Sequence, residues 1–212
     1  MTELVPLFLV ALSAVFFVVD PVGVVPIFLA ITAGDSPEKL RRTALRASLT
    51  GFGMLTFFAL FGGVIFKVFG ISLSAFRIAG GVLLLMTALD MLRAKSPGTR
   101  TSPEETEEGV HKEDVALVPL AIPLLAGPGS IATAMVLMAK GKSYVSAIPV
   151  LLAIAITFVV TYYILRGASL VQRVLGRSGV AILERVMGLI LAAIAVQFMA
   201  EGIVDFVARR AN

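Results

Sequence analysis

The stretch VVDPVGVVPIFL, Val18 to Leu29, places an aspartate, two prolines and a glycine inside a run that is otherwise apolar. The surrounding apolar segment is longer than the roughly 20 residues that one helix needs to cross a bilayer. Proline breaks a helix interior because it lacks an N–H and clashes with the preceding turn, yet it fits the first position of a new helix. Aspartate is a good cap just before that position. Asp20-Pro21 therefore predicts a helix start in the middle of a membrane segment, with Gly23 permitting close backbone approach.

The composition indicates an integral membrane protein. Of the 212 residues, 58% are hydrophobic and 15% are charged, and the mean hydropathy is +0.97. A soluble chain this short lacks the volume to bury five or six long apolar helices. The chain has no cysteine, and its single histidine, His111, lies in a charged loop. We therefore expect no metal site and no cofactor, and the clustering of basic residues in loops argues against a nucleic-acid partner.

Six membrane segments are predicted, so the expected fold is an all-α integral membrane protein whose single membrane domain spans residues 1–212. The segments are Leu4–Ala33, Ala44–Val68, Ser74–Leu92, Val115–Ala139, Tyr144–Arg166 and Ala181–Val207. A charged loop, 93–114, is rich in Glu, Ser, Thr, Pro and Gly. It separates a first three-helix unit, 1–92, from a second, 115–212.

The distribution of Lys and Arg predicts the orientation in the membrane. These residues are about twice as frequent in the first-to-second, third-to-fourth and fifth-to-sixth connections as on the opposite side. The side richer in Lys and Arg is normally cytoplasmic. Both termini are therefore predicted to be extracytoplasmic. Ser36-Pro37 is predicted to cap the second helix, and Arg77 and Arg185 are expected to extend toward lipid headgroups.

The two three-helix units share several features. These are paired prolines (Pro21/Pro26 and Pro123/Pro128), an Arg-x-x-Gly motif (Arg77–Gly80 and Arg185–Gly188) and a Thr-Phe pair (Thr56-Phe57 and Thr157-Phe158). Their spacings differ slightly, so no single gapless alignment joins the two units. Because three is odd, two consecutive three-helix units cross the membrane in opposite directions. The sequence therefore predicts an inverted repeat, a common plan for secondary transporters.

The fourth segment contains a second break, LLAGPGSIAT, which begins at Leu124. Gly127 can take a non-helical conformation, and Pro128 can begin a second half-helix. Gly129 leaves its backbone uncovered, and Ser130 adds a hydroxyl. Non-helical backbone at membrane depth is tolerated only where it is buried in protein or lines a wet cavity. The first and fourth helices are therefore expected to be broken near the midplane, where their breaks meet.

Two such breaks predict a site for a small zwitterion. Helix N-termini attract a carboxylate, whereas the aspartate offers a place for an ammonium, a cation or a proton. The predicted substrate-binding residues are Asp20, Pro21, Gly23, Gly127, Pro128, Gly129, Ser130 and Gln197. Asp20 is also the coupling candidate, because an intramembrane acid costs about 2.5–3.5 kcal/mol and usually marks function. The alternatives are a purely structural cap for Asp20, interhelical contact for Gln197, and bonds from the hydroxyls to their own backbone.

Three stretches resemble the MarC/SnatA family of bacterial and archaeal inner-membrane proteins. They are DPVGVVPIFL (Asp20–Leu29), PLAIPLLAGPGSI (Pro119–Ile131) and RVMGLILAAIAVQF (Arg185–Phe198). The resemblance implies six helices and a transporter, and some members are described as carrying small neutral amino acids such as glycine and alanine. The family usually has Asn or Asp at the Asp20 position, which argues against a universal proton-carrying role there.

The expected function is secondary transport of small neutral amino acids across the inner membrane, coupled to protons or sodium. A channel, or an exporter of another small solute, is the alternative, since broken half-helices also build pores. An enzyme is not expected, because Ser130 has no histidine base nearby and Asp20 has no clear intramembrane carboxylate partner. The expected partners are the substrate, the coupling ion and the lipid bilayer, and a homo-oligomer is compatible with the sequence.

Overall fold

The computed structural model describes residues 4–93, 116–140 and 147–211. Helices account for nearly all of these residues, and no strand occurs among them. In chain order the helices are α1 (Leu4–Val19), α2 (Val25–Ile31), α3 (Pro37–Phe69), α4 (Leu73–Leu92), α5 (Ala116–Leu125), α6 (Pro128–Lys140), α7 (Ala147–Arg166) and α8 (Ala168–Ala211). The all-α prediction is confirmed. The charged loop 93–114 lies outside the described residues from position 94 onward, and so does His111.

Four described helices are long and apolar enough to cross a membrane. They are α3, α4, α7 and the part Ser178–Ala208 of α8, while α1 and Pro128–Ala139 of α6 are shorter apolar helices. Large apolar side chains such as Phe57, Val64 and Leu189 are half exposed or more on their outer surfaces. That pattern fits lipid as the surrounding solvent, and the protein is a multi-pass membrane protein. The predicted count of six crossings depends on joining α1 to α2 and α5 to α6.

A side-chain cap begins α3, and a glycine in the left-handed conformation ends it. The Ser36 hydroxyl accepts a hydrogen bond from the Lys39 N–H at 3.3 Å, as the Ser-Pro signal predicts. Helix α3 begins at Pro37, earlier than the predicted Ala44, because this cap and two i,i+4 ion pairs hold a polar first turn helical. It ends at Gly70, whose φ of 64° places it in the left-handed region that favours glycine.

Helix α8 contains an interruption that the predicted segment Ala181–Val207 did not anticipate. Gly176 has φ 62° and ψ 178°, so residues 168–175 form a separate helical stretch before the membrane helix. A residue with a Cβ would be strained there, whereas glycine adopts this backbone conformation readily. The connection after α7 is therefore helical rather than a simple loop.

Helices α4 and α8 form the most extensive helix pair, and they run antiparallel. A Cβ added to Gly81 would lie 2.8 Å from the Ala195 carbonyl oxygen, and one added to Gly188 would lie 3.0 Å from that of Ala88. Advancing along α4 from 81 to 88 thus means returning along α8 from 195 to 188. Glycine is used at these positions because it lets two membrane helices approach backbone to backbone.

Most of the buried core lies where early helices meet late ones. The extensive contacts of α1 are with α6, α7 and α8, and those of α3 are with α5, α6 and α7. Phe28, Leu55 and Ile154 are fully buried in the larger hydrophobic cluster. A smaller cluster joins α4 and α8 around Leu84 and Leu191. This interleaving brings the two predicted breaks into one region of the molecule.

Candidate functional site

The first break is a tight turn centred on Asp20. Helix α1 ends at Val19, and the Asp20 N–H still donates to the Phe16 carbonyl at 3.0 Å. Asp20 then takes φ 51°, the one described non-glycine residue with positive φ. Its carboxylate accepts a hydrogen bond from the Gly23 N–H at 3.1 Å. The side chain is only 4% exposed, so the break holds a buried acid.

The turn after Asp20 differs from the predicted one in where the next helix begins. Pro21 lies in the turn rather than at a helix start, and α2 begins at Val25 with Pro26 in its first turn. The reason is the left-handed conformation of Asp20, which ends α1 and directs the following residues into a turn. Asp20 therefore caps the turn through Gly23, and the prediction that it caps a helix starting at Pro21 is wrong.

Gly23 is required by its distance from this carboxylate. A Cβ at Gly23 would collide with the Asp20 side chain, with 2.8 Å to its Cγ. The absence of a side chain thus lets the Gly23 N–H approach Asp20 Oδ1. The close backbone approach predicted for Gly23 is therefore an approach of its N–H to the Asp20 carboxylate.

The second break lies between α5 and α6. Helix α5 has the wide π-helical hydrogen bonding, and the Ala126 N–H donates to the Ala121 carbonyl at 2.9 Å. Single π turns occur often at functional sites, and a run of this length is rare. Helix α6 then begins at Pro128, as predicted. Gly127 bridges the two helices and is buried.

The hydroxyls of the second break bond to its own backbone. The Ser130 hydroxyl is 3% exposed and donates toward the Gly127 carbonyl at 2.9 Å and the Leu125 carbonyl at 3.2 Å. Thr133 donates to the Gly129 carbonyl at 2.8 Å. The Gly127 carbonyl also accepts from the Ile131 N–H at 3.0 Å, so the Ser130 hydroxyl adds a second hydrogen bond to it and joins it to the last residue of α5. This arrangement matches the alternative given in the sequence analysis, in which the hydroxyls hydrogen-bond to their own backbone instead of to a substrate.

Gly129 connects the second break to the end of α1. A Cβ at this position would lie 3.9 Å from Val18 Cγ1, 3.4 Å from Leu84 Cδ2 and 3.7 Å from Thr87 Oγ1. Val18 is two residues before Asp20, so the last turn of α1 packs beside the first turn of α6. In that first turn the N–H groups have no preceding helical carbonyl to bond. The structure therefore places a buried acid and a helix N-terminus in neighbouring turns.

Gln197 is not brought to these turns. Its side chain is exposed on α8, and its amide donates to Glu201 Oε1 at 3.1 Å, one helical turn away. The prediction that Gln197 joins the substrate-binding residues is wrong, because the residues around it in α8 are apolar and the sequence does not reveal which face of the helix is covered. Seven of the eight predicted residues remain at the two breaks.

Three threonines with buried or partly buried hydroxyls are not among the predicted site residues, and one of them lies beside the second break. Thr87 on α4 is buried next to Gly129, and its hydroxyl donates to the Leu83 carbonyl at 3.1 Å. The Thr56 and Thr157 hydroxyls are buried and have no hydrogen-bond partner among the described residues. The shared Thr-Phe pair was the signal for the last two. Among the described residues, no cluster of three or more His, Cys, Asp or Glu side chains is placed to hold a metal.

Arg77 does not extend to lipid headgroups as expected. Its side chain is 11% exposed and pairs with Asp205 on α8 at 2.5 Å. This ion pair fastens the start of α4 to the end of α8. The expectation failed because the partner lies far away in the sequence and is brought close only by the antiparallel packing of the two helices.

Comparison with known proteins identifies the relatives of this chain. A family model described as MarC family integral membrane protein matches residues 5–207. The chain belongs to the MarC family. A UPF0056 membrane protein of Methanocaldococcus jannaschii is 43% identical over 196 residues, which cover 92% of this chain and 95% of the relative. No solved structure matches.

The MarC-family relatives extend across distant microorganisms. The UPF0056 membrane protein YvbG of Bacillus subtilis is 35% identical over 191 residues, covering 90% of each chain. YhcE of Escherichia coli is 32% identical over 198 residues, covering 93% of this chain and 92% of the relative. The match spans both breaks, and the family is one of integral membrane proteins. The resemblance read from three motifs is thereby confirmed.

Proposed function

We propose that this MarC-family protein is a secondary transporter of small neutral amino acids such as glycine and alanine. The observation that carries the proposal is the buried Asp20 carboxylate at the end of α1, beside the first turn of α6. A buried acid within a membrane segment is costly and usually marks a substrate or ion path. Broken helices that meet at membrane depth are a recurring way of building a transporter site.

The proposed architecture has six crossings arranged as two inverted repeats. In it, α1 with α2 and α5 with α6 are each one crossing interrupted near the midplane. The antiparallel packing of α4 on α8 supports this arrangement, since these are the third helices of the two units. The Arg-x-x-Gly motifs of the two units are 108 residues apart, so interchanging the units carries the Gly81–Ala195 contact to within one residue of the Gly188–Ala88 contact. The α1–α7 pairing corresponds in the same way to the α5–α3 pairing.

The proposed site holds the two ends of a zwitterion. The substrate ammonium is placed near Asp20, and the carboxylate is placed near the N–H groups of Gly129 and Ser130 in the first turn of α6. Side chains around the second break are small, and Leu84 lies within van der Waals distance of the Gly129 position. A small substrate side chain therefore suits the site better than a bulky one. Substitution of Gly129 by a larger residue would fill the same space.

Coupling is assigned to the same carboxylate. Asp20 is covered by protein, so a proton or sodium ion bound there would travel with the substrate through a change in access. The Gly23 N–H bond keeps the carboxylate in the turn and leaves it in position for that exchange. In this scheme Asp20 both caps the turn and carries the coupling charge.

The test is uptake of radiolabelled glycine and alanine into proteoliposomes that contain the purified chain. Saturable uptake driven by an imposed proton or sodium gradient supports the proposal, with Asp20→Asn losing the gradient dependence. Gly53→Ala serves as the matched control, because a Cβ there meets nothing within 4 Å. Absence of uptake for every small neutral amino acid under both gradients would refute the proposal, and single-channel currents would identify a pore instead.

Both termini are proposed to be extracytoplasmic in the inner membrane. The chain has no cysteine, so single cysteines can be introduced without removing native ones. Lys39→Cys before the membrane part of α3 is expected to be shielded from a membrane-impermeant thiol reagent added outside intact cells. Lys67→Cys at the other end of α3 is expected to react. The reverse pattern would invert the proposed orientation.

A further inference from the structure

An apolar groove lies between α3 and α7, and its lining includes no residue of either break. Its volume is about 320 Å³, and its walls are formed by side chains from both helices. Leu49, Val159 and Tyr163 on its rim are each more than half exposed. Because α3 and α7 are membrane helices, the groove opens toward the hydrocarbon of the bilayer. The apolar group that the bilayer offers at that position is a lipid acyl chain.

The groove contains one buried polar atom that the protein leaves unsatisfied. Ser48 lines the groove and is 3% exposed, and its hydroxyl has no hydrogen-bond partner among the described residues. A buried donor without an acceptor costs free energy comparable with a lost hydrogen bond. An ester carbonyl of a lipid lying in the groove would supply the missing acceptor when the Ser48 hydroxyl, which is covered in this conformation, rotates toward the groove.

A positive cluster stands at one end of this groove. Arg41 Nε donates to the Tyr162 hydroxyl at 3.3 Å, and Tyr162 lines the groove. Arg166, one turn further along α7, lies within electrostatic reach of the same hydroxyl. The neighbouring Arg42 is instead directed at Glu38, 3.7 Å away. Two guanidinium groups and a phenol therefore converge at the end of an apolar channel.

We propose that this groove is a binding site for an anionic phospholipid. The headgroup phosphate is held by Arg41 and Arg166 with the Tyr162 hydroxyl, and one acyl chain lies along the groove. Ser48 is seven residues after Arg41, which is about 10 Å along a helix, a depth suited to the ester region. Arg–phosphate pairs are favoured because the guanidinium fork matches the phosphate oxygens. The site is independent of the proposed transport function.

The charge and the groove make distinct contributions that a binding experiment can separate. The full-length protein in detergent is titrated with phosphatidylglycerol or with phosphatidylcholine of the same chains, and bound lipid is counted by native mass spectrometry. Phosphatidylglycerol is expected to bind more tightly. A basic residue near an anionic lipid contributes enough that Arg41→Gln or Arg166→Gln should each weaken binding about fivefold. The double variant should weaken binding about 25-fold.

Two controls fix the origin of any effect. Arg42→Gln removes the same charge beside the site and is expected to leave the affinity within about twofold. Ala155→Phe fills the groove without touching the arginines and is expected to abolish the preference for phosphatidylglycerol. If that variant is not monodisperse, Leu49→Phe tests the same groove from its exposed rim.

Three results would overturn the proposal. Equal affinity for the two lipids would remove the role of headgroup charge, and an equal loss in Arg42→Gln would reduce the effect to general surface charge. Competition by glycerol phosphate or inorganic phosphate at the same concentrations would reassign the arginines to a free anion. Retained lipid preference in the filled-groove variants would remove the acyl-chain contact.

Discussion

Three substitutions of Asp20 separate its backbone conformation, its hydrogen bond and its charge. Asparagine tolerates the left-handed conformation and keeps an oxygen that can accept from the Gly23 N–H. Glycine tolerates the conformation but has no acceptor. Alanine has no acceptor and is strained at φ 51°. The three variants therefore lose one, two or three of the features that Asp20 supplies.

The expected costs follow from these losses. Replacing a charged acceptor by a neutral one costs about 1 kcal/mol, so Asp20→Asn should remain close to the wild type. Asp20→Gly loses a hydrogen bond to a charged group, which is worth about 1.5–3 kcal/mol. Asp20→Ala adds about 1–2 kcal/mol for the left-handed conformation, for a total of about 2.5–5 kcal/mol. The stability order is Asp, Asn, Gly and then Ala.

Thermal unfolding in detergent, followed by far-UV circular dichroism, measures this order. The chain has no tryptophan, so circular dichroism is preferred to intrinsic fluorescence. At this chain length about 1 kcal/mol shifts Tm by about 2–4 °C, so the alanine variant should melt at least about 5 °C below the wild type. A Tm for Asp20→Ala equal to that of Asp20→Asn would refute the left-handed turn. An alanine variant that melts above the glycine variant would do the same.

Further predictions concern packing and function. Gly81→Ala should destabilise the α4–α8 pair by about 1–3 kcal/mol, because the added methyl group overpacks the contact. Gly63→Ala is the control: Gly63 has open space around it, so the variant should be as stable as the wild type or about 0.5–1 kcal/mol more stable. Equal melting temperatures for the two variants would contradict the close antiparallel contact. Gly23→Ala should abolish substrate uptake while retaining helical circular dichroism, because the new methyl displaces the neighbouring carboxylate; normal uptake would show that the carboxylate position is unimportant. Asp205→Asn should lower the free energy of unfolding by about 1–2 kcal/mol. The substitution leaves the mostly buried guanidinium of Arg77 without its ion pair, but the half-exposed position of Asp205 keeps the loss small. Adding Arg77→Gln should recover part of that loss, and additive losses in the double variant would mean that the pair is not coupled.

The sequence located both helix breaks because their residues have strong local preferences. Gly127 and Pro128 lie where the structure ends α5 and begins α6. The start of α2 was misplaced for a reason equally local. Pro21 and Pro26 are both suitable first residues of a helix, and only the left-handed conformation of Asp20 decides between them.

Features that depend on distant partners could not be read from the sequence. Gln197 lies on a helix that is apolar nearly all round, so periodicity does not reveal its exposed face. The partner of Arg77 was hidden for a related reason, since Asp205 reaches it only through the antiparallel pairing of α4 and α8. Local chemistry thus predicted turns, whereas covered faces and ion pairs required the packed structure.

The interleaved packing also has a consequence for biogenesis. Among the described helices α1 is synthesised first, yet its extensive contacts are with α6, α7 and α8, which are synthesised last. At typical synthesis rates of about 5–20 residues per second, that delay is on the order of ten seconds or more. During that interval Asp20 lies in a nascent segment without the neighbours that later cover it. Assembly therefore requires the insertion machinery to accommodate an unfinished membrane segment that contains an acid until α6, α7 and α8 have been made.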